Sequence, residues 1–406
     1  MTSDRPAEAF DVLVRFGALM WRAGSTAIRT REWMELLARK MGYDALAVSF
    51  SLENISASAH RSGEWKTMVR AIGPPAVNAA RIAELEQLAR TAGAETSISQ
   101  TEARLSKIEA APPLCSGAQI SAAIAMASGS FAFLNGAGAV EVCAAAIGGA
   151  AGQWLRHWLS HRQLNQYGAA ALSAIMASSA YVLIAAVAQM LGFGFGHYSI
   201  GFIASVLFLV PGFPLIAALF DLLQLQTVPA MSRLAYGLMI LLAAAVGLGV
   251  VIAIARVDLW RPPPLAMAYP LQLLLRAAAS FIACSAFSLS FNTPPRIVIG
   301  VGFLAMVTNS LRLGLQDLGF LPATAAFWSA LITGLAALIV NRRFDVPRMA
   351  MTVAPIVIMI PGLYAFETIA QFNDGRTLEA LQTATLCGFV IGALAMGLAA
   401  ARLLRP

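Results

Sequence analysis

The sequence predicts a polytopic α-helical membrane protein, with about ten transmembrane helices arranged as two inverted five-helix repeats behind a small cytosolic α/β domain. Three observations predict this fold. The 406 residues are 58% hydrophobic and only 12% charged, whereas a soluble domain carries about 25% charged residues. From Cys115 onward, the chain contains apolar runs long enough to cross a bilayer. A Pro-Gly pair also occurs twice within such runs, 150 positions apart.

The first 110 residues differ in composition from the rest. They hold 14 of the 28 Lys and Arg residues and 13 of the 21 Asp and Glu residues. Hydrophobic periodicity and turn signals predict helix, helix, strand, strand, helix and helix. The predicted segments are 7–23, 26–41, 45–59, 65–72, 75–92 and 97–110. We assign residues 1–114 to this domain.

The remainder of the chain contains the predicted spans, which are 117–134, 138–157, 167–191, 198–221, 233–255, 266–288, 296–313, 322–341, 350–371 and 379–402. Arg261-Pro262-Pro263-Pro264 marks the boundary between a first repeat, 115–260, and a second repeat, 261–406. Because each repeat has an odd number of spans, the second is expected to insert upside down.

The positive charges predict the orientation. With residues 1–114 in the cytoplasm, nine arginines fall in inner loops and the tail, and four fall in outer loops. The inner set is Arg156, Arg162, Arg233, Arg296, Arg342, Arg343, Arg348, Arg402 and Arg405; the outer set is Arg256, Arg261, Arg312 and Arg376. This distribution favours cytoplasmic N and C termini. The first long apolar run begins near residue 117, which argues against a signal peptide.

The repeated Pro-Gly pairs predict a substrate site. Pro211-Gly212 and Pro361-Gly362 interrupt two predicted spans, because proline removes a backbone donor and glycine weakens a helix. Interrupted helices at matching places in two halves indicate a transporter's binding site near the midplane. Helix ends exposed by the breaks suit a zwitterion, and Tyr364 follows the second break closely. The alternative is that each Pro-Gly pair only kinks a helix for packing.

Four ionisable side chains fall within or at the ends of predicted spans, where charge is costly and usually functional. Glu367, six residues after Pro361, is the strongest candidate for proton coupling, followed by Glu141 and Asp221. Arg276 could bind a substrate carboxylate or pair with Glu367. The alternatives are that Glu141 and Asp221 reach the headgroup layer and that Arg276 belongs to a structural ion pair.

Several classes of function lack support in the sequence. The basic residues are scattered rather than clustered, which argues against nucleic-acid binding. The four cysteines lack metal-site spacing and are interpreted as buried thiols. His157 and His161 have the i, i+4 spacing of a metal site, but their interfacial position favours solvation. No nucleophile elbow, P-loop or HExxH motif is present, so we expect no enzyme activity, metal or cofactor.

The motifs together resemble the bacterial threonine/serine exporter family in its fused, single-chain form. Ala23-Gly24-Ser25-Thr26 followed by Arg29 resembles the start of that family's cytosolic domain. Pro211-Gly212, Pro361-Gly362 and the segment Phe291–Arg296 are similar to its membrane motifs, and Glu141 lies where the family has an acidic residue. The family includes split, two-subunit relatives assigned to dicarboxylates.

The resemblance implies a secondary exporter of threonine and serine in the bacterial cytoplasmic membrane, driven by the proton motive force. The expected partners are a small-molecule substrate, protons and the lipid bilayer, with homo-oligomer formation left open. The alternatives are a dicarboxylate (succinate-like) exporter, for which Arg276 would bind the anion, and a membrane-anchored enzyme or sensor acting through residues 1–110.

Overall fold

The computed structural model describes residues 5–73, 76–92, 97–162, 164–193, 199–257, 267–344 and 348–404. The described N-terminal elements are α1 (Arg5–Arg22), α2 (Ala27–Lys40), β1 (Ala45–Phe50), β2 (Asn54–Arg61), β3 (Glu64–Ala71), α3 (Ala79–Thr91) and α4 (Ile98–Ala110). The helices that follow are α5 (Gly117–Leu134), α6 (Ala139–His161), α7 (Gln166–Met190), α8 (Ser199–Val206), α9 (Gly212–Leu223), α10 (Thr227–Ala255), α11 (Tyr269–Ser290), α12 (Pro295–Asp317), α13 (Pro322–Phe344), α14 (Arg348–Val357), α15 (Gly362–Asn373) and α16 (Thr377–Leu403).

The chain divides into two compact units. The first comprises Met1–Leu114, Phe213–Ala235 and Phe291–Pro294, and the second comprises Cys115–Gly212, Tyr236–Ser290 and Pro295–Pro406. The first unit therefore combines the N-terminal residues with two later segments. The predicted boundary at Arg261–Pro264 lies outside the described residues.

The sheet in the first unit is antiparallel, with strand order β1-β2-β3. The alternating residues Ile55, Ala57 and Ala59 of β2 are buried, as expected for a strand with one covered face. Helix α1 packs against this sheet and contributes the fully buried Leu13 and Phe16 to the core.

The prediction of one strand over 45–59 was wrong, because β1 and β2 form a hairpin within that range. Phe50 pairs with Ile55 across it. The Ser51 hydroxyl oxygen accepts hydrogen bonds from the backbone N–H groups of Glu53 and Asn54 at 3.3 and 3.0 Å. This side-chain-to-backbone turn replaces ladder bonds and reverses the chain.

The second unit is a bundle of long helices. Ser116 and Gln119 form a capping box that begins α5. A Cβ added to Gly148 of α6 would lie 2.6 Å from the backbone oxygen of Ala177 in α7, and one added to Gly152 would lie 2.8 Å from the Ala177 Cβ. The spacing of Gly148 and Gly152 thus serves close helix packing.

The chain is a polytopic α-helical membrane protein. By length and apolar composition, eight stretches of the described residues could each cross a membrane. A ninth candidate is the bent pair Ile200–Leu209 and Gly212–Leu223, whose two parts differ in direction by 63°. The predicted span 138–157 coincides with α6, which is not among these stretches; α6 carries Glu141, Arg156 and two histidines.

Candidate functional site

The two Pro-Gly pairs interrupt helices and share one local hydrogen bond, from the glycine N–H to the residue two positions earlier. A 3-10 turn, Leu207–Leu209, ends the stretch before Pro211, and α9 begins at Gly212. The Gly212 N–H donates to the Val210 oxygen at 2.8 Å, and the Gly362 N–H donates to the Ile360 oxygen at 2.8 Å. The residues of each pair, Pro211 with Gly212 and Pro361 with Gly362, therefore end one helix and begin the next.

Each break packs against the other. A Cβ added to Gly212 would lie 2.6 Å from Ile360 Cδ1 and 3.4 Å from Val357. One added to Gly362 would lie 3.0 Å from Leu207 Cδ2 and 3.1 Å from Val210 Cγ2. Val210 and Leu207 are the residues 150 positions before Ile360 and Val357, so the two contacts are reciprocal.

A cavity of about 140 Å³ lies at this crossing. Allowing roughly 10–15 Å³ for each water molecule, this space suits a small solute. Its walls include the second break, residues just before the first break, aromatic rings and one cation: Phe131, Leu207, Val210, Phe287, Arg312, Gln316, Val357, Ile358, Met359, Ile360, Pro361, Gly362, Leu363 and Tyr364 are among the lining residues. Pro211 and Gly212, which the sequence placed in the substrate site, are not among them. Backbone N–H groups in the first turn of α15 add partial positive charge to the wall.

A second cavity, of about 300 Å³, shares part of this lining. Tyr364 and Gln316 line both cavities. Arg276 and Asp317 line the second, and an Arg276 Nη1 donates to Asp317 Oδ2 at 2.6 Å. The sequence left three roles open for Arg276, namely a substrate anion site, a pair with Glu367 and a structural ion pair; in the structure it pairs with Asp317.

Arg312 is the cavity residue that the sequence reasoning missed, because the count of positive charges places this arginine in an outer loop. It lies within α12, and its Nε donates to Asn309 Oδ1 at 2.9 Å. Asn309 Nδ2 in turn donates to Ser280 Oγ at 2.8 Å. The sequence signal that could have identified Arg312 is its position three residues after Asn309 within a largely apolar helix.

The guanidinium of Arg312 is available to an anion. In the part of the chain that the structure describes, no carboxylate forms an ion pair with it, and its electrostatic neighbours are Tyr364 and Arg276. A guanidinium held by its Nε can still donate two parallel hydrogen bonds to a carboxylate. The site can therefore bind a small carboxylate-bearing molecule beside the second break.

The two predicted glutamates lie elsewhere in the bundle. Glu141, 7% exposed, accepts a hydrogen bond from the Gly138 N–H at 3.0 Å and from the Tyr181 hydroxyl at 3.4 Å. Glu367 is half-buried in α15. Neither is among the residues that line the two cavities.

Asp221 is fully buried within the first unit. Its Oδ2 pairs with Arg233 Nη1 at 3.0 Å, and its Oδ1 accepts the Ala27 N–H at 3.0 Å. No part of the residue is exposed, so the carboxylate is held entirely by protein groups.

His157 and His161 face each other on α6, with their Nε2 atoms 3.3 Å apart. Both side chains are exposed. Within the described ranges, no group of three or more His, Cys, Asp or Glu side chains could hold a metal ion.

These features define a class: a multi-pass helical membrane protein whose broken helices enclose a small cavity, an arrangement typical of transporters. A family model described as "Putative threonine/serine exporter" matches residues 11–255, and one described as "Threonine/Serine exporter, ThrE" matches residues 276–404. The chain belongs to the threonine/serine exporter family, which is a family of transporters and not of enzymes.

Two relatives illustrate this similarity. A protein of Mycobacterium tuberculosis named "Probable threonine/serine exporter" is 22% identical over 403 residues, which cover 94% of this chain and 74% of that protein. An uncharacterized protein of Haemophilus influenzae is 26% identical over 139 residues, covering 32% of this chain and 47% of its own, so the match spans about half of its length. No solved structure matches the chain significantly.

Proposed function

We propose that this protein is a secondary active exporter of threonine and serine, with its substrate site at the crossed Pro-Gly breaks. The observation that carries the proposal is the reciprocal packing of the two breaks beside a cavity that Gly362 and Arg312 line. Transport requires a binding site that can be exposed to either side, and two short helix ends meeting at one point can supply it.

In this proposal, Arg312 binds the substrate carboxylate and the first turn of α15 adds favourable helix-dipole charge. Tyr364, which lines the cavity, contacts the substrate. Asp317, which lines the neighbouring cavity, accepts from the ammonium group. The small volume of the cavity favours short side chains such as those of serine and threonine.

We further propose that the membrane part is an inverted repeat. Corresponding helices support this, because α6 and α12 begin and end 156 positions apart, and α9 and α15 begin and end 150 positions apart. The turn residues Gly136 and Asn292, also 156 apart, both have positive φ, at 96° and 54°. Alternating access then follows from exchanging the conformations of the two halves.

Protons are proposed to drive export from the cytoplasm across the inner membrane, with both termini cytoplasmic. Glu367 is the first coupling candidate because its helix begins at the second break, so protonation there can bias the position of α15. Glu141 is the second candidate, as it is buried beside Tyr181.

Counterflow in proteoliposomes tests the substrate assignment. Vesicles loaded with unlabelled threonine are offered labelled threonine, serine or succinate. Wild type should accumulate threonine and serine, and Arg312→Gln should lower uptake at subsaturating substrate roughly tenfold or more, as expected for a lost charge-assisted hydrogen bond. Arg296→Gln is the matched control, because Arg296 is exposed at the start of the same helix. Absence of threonine and serine exchange by the wild type would contradict the proposal.

A dicarboxylate is the second candidate substrate, favoured by one observation. Arg276 and Arg312 are electrostatic neighbours on the walls of two cavities that share lining residues, and each could bind one carboxylate. Exchange of succinate alone in succinate-loaded vesicles, lost in both Arg276→Gln and Arg312→Gln, would establish this alternative. Threonine exchange that survives Arg276→Gln would exclude a requirement for two arginines.

A further inference from the structure

The turn between α1 and α2 is buried although it is short and polar. Ser25 and Ala27 are fully buried, and Thr26 is 4% exposed. Gly24 makes this turn with a φ of +102°, a conformation that favours glycine. The unpaired backbone N–H groups at the start of α2 must therefore find hydrogen-bond acceptors within the protein rather than in water.

The side chains that form hydrogen bonds with this turn come from α9 and α10, which contribute to the same compact unit. Helix α2 has no side-chain cap of its own, because Thr26 makes no capping hydrogen bond. Asp221 of α9 takes that role by accepting the Ala27 N–H, where a carboxylate also favours the positive end of the helix dipole. Arg233 of α10 pairs with Asp221 and donates to the Ser25 backbone oxygen.

We call the contacts of Asp221 and Arg233 with the α1–α2 turn the joint. Two further contacts belong to it. The Arg233 guanidinium carbon lies 3.7 Å from the centroid of the Trp21 ring, a cation–π contact at the end of α1. A Cβ on Gly24 would lie 2.7 Å from the ring of Phe213. Phe213 is the residue directly after Gly212, so the joint reaches the first break itself.

The second half of the chain offers an internal comparison. Gln371 and Thr383 lie 150 positions after Asp221 and Arg233, and the Thr383 hydroxyl donates to Gln371 Oε1 at 2.9 Å. The same helix pair is thus bridged by neutral groups in the second half. Leu363, 150 positions after Phe213, lines the cavity.

The first half, which contacts the α1–α2 turn, therefore has the charged pair Asp221 and Arg233 at these positions. The second half has the neutral pair Gln371 and Thr383. A fully buried ion pair contributes little net stability by itself, because desolvation offsets the attraction. A neutral pair suffices to join the two helices, as Gln371 and Thr383 do. The charged pair has additional partners, namely a helix N-terminus, a backbone carbonyl and an aromatic ring.

We propose that Asp221 and Arg233 are positioning residues that fix the α1–α2 turn to α9, the helix that begins at the first break. Movement of α9 during transport then moves the turn with it, and the N-terminal domain controls the helix. Asp221 stays paired with Arg233 and does not carry the transported proton. The coupled movement of α9 and the turn during transport rests on the proposed exporter function. The existence of the joint does not depend on that function.

Hydrogen exchange on the full-length, detergent-solubilised protein tests the joint without reference to any substrate. Asp221→Asn replaces the charged acceptor of the Ala27 N–H with a neutral one, so the amides at the start of α2 should exchange several-fold faster. Gln371→Ala and Thr383→Ala, the matched changes in the second half, should leave these amides unchanged. Unchanged exchange in Asp221→Asn would overturn the proposal.

Arg233→Lys provides a milder variant if Asp221→Asn fails to fold. It keeps the charge but loses the planar stack on Trp21 and the reach to Ser25, so we expect a smaller but measurable gain in exchange at the same amides. Wild-type exchange rates in this variant would contradict the role of Arg233.

Counterflow and pH-gradient-driven accumulation separate positioning from proton coupling. A positioning role predicts that Asp221→Asn slows counterflow and accumulation by the same factor. Normal counterflow with lost accumulation would make Asp221 a proton carrier and overturn the proposal. If the wild type transports neither threonine, serine nor succinate, the exporter function fails while hydrogen exchange still decides whether the joint exists.

Discussion

Gly212 lies against the side chain of Ile360, so closely that a β-carbon on this glycine would be only 2.6 Å from the isoleucine Cδ1. Ile360 directly precedes the second break. The equivalent relationship, Gly362 with Val210, is looser at 3.1 Å. One Cδ methyl group therefore sets how closely the two breaks approach.

Gly212→Ala should impair transport because the added methyl group displaces Ile360. The double variant Gly212→Ala with Ile360→Val removes the conflicting Cδ1 atom and should recover much of the activity. Counterflow rates of the two variants and of Ile360→Val alone provide the measurement. If the double variant is no better than Gly212→Ala, the defect lies in the backbone at Gly212 and not in this contact.

Asn309 is expected to act through Arg312. In Asn309→Ala, the guanidinium loses its acceptor and Ser280 loses its donor, so the substrate KM should rise several-fold, with a smaller effect on the maximal rate. Thr308→Ala is the control, because the Thr308 hydroxyl donates to the backbone oxygen of Leu304 in its own helix. Equal KM values in the two variants would remove Asn309 from the site.

Gly24 and Gly63 allow steric crowding to be separated from backbone strain. Both have positive φ, at +102° and +85°, and alanine in that conformation costs about 1–2 kcal/mol. A Cβ at Gly63 meets nothing within 4 Å, whereas one at Gly24 meets Phe213 and the Ala76 oxygen. Gly24→Ala should therefore lower the thermal unfolding temperature more than Gly63→Ala does. Equal shifts would indicate that Phe213 moves aside without cost.

Glu367→Gln tests proton coupling. If Glu367 carries the proton, the neutral side chain should preserve threonine counterflow and abolish accumulation driven by a pH gradient. Glu379→Gln serves as the control, since Glu379 is exposed and pairs with Arg376 outside the break. A variant with wild-type accumulation would leave Glu141 as the remaining candidate.

Local features were predictable because their causes are local. Apolar composition identified the membrane protein, and the two Pro-Gly pairs located both helix breaks, since proline removes a backbone donor and glycine weakens a helix. The hairpin starting at Ala45 was missed because its turn, Ser51 to Asn54, contains neither glycine nor proline.

By itself, the sequence determined the class of protein, the paired breaks and the ionisable residues worth testing. Tertiary structure alone decided that Gly212 meets Ile360, that Arg312 faces the cavity, and that Asp221 caps a helix 194 positions away. Pairing between distant segments depends on how whole helices pack, and hydrophobic periodicity carries no information about which partner a buried charge will find.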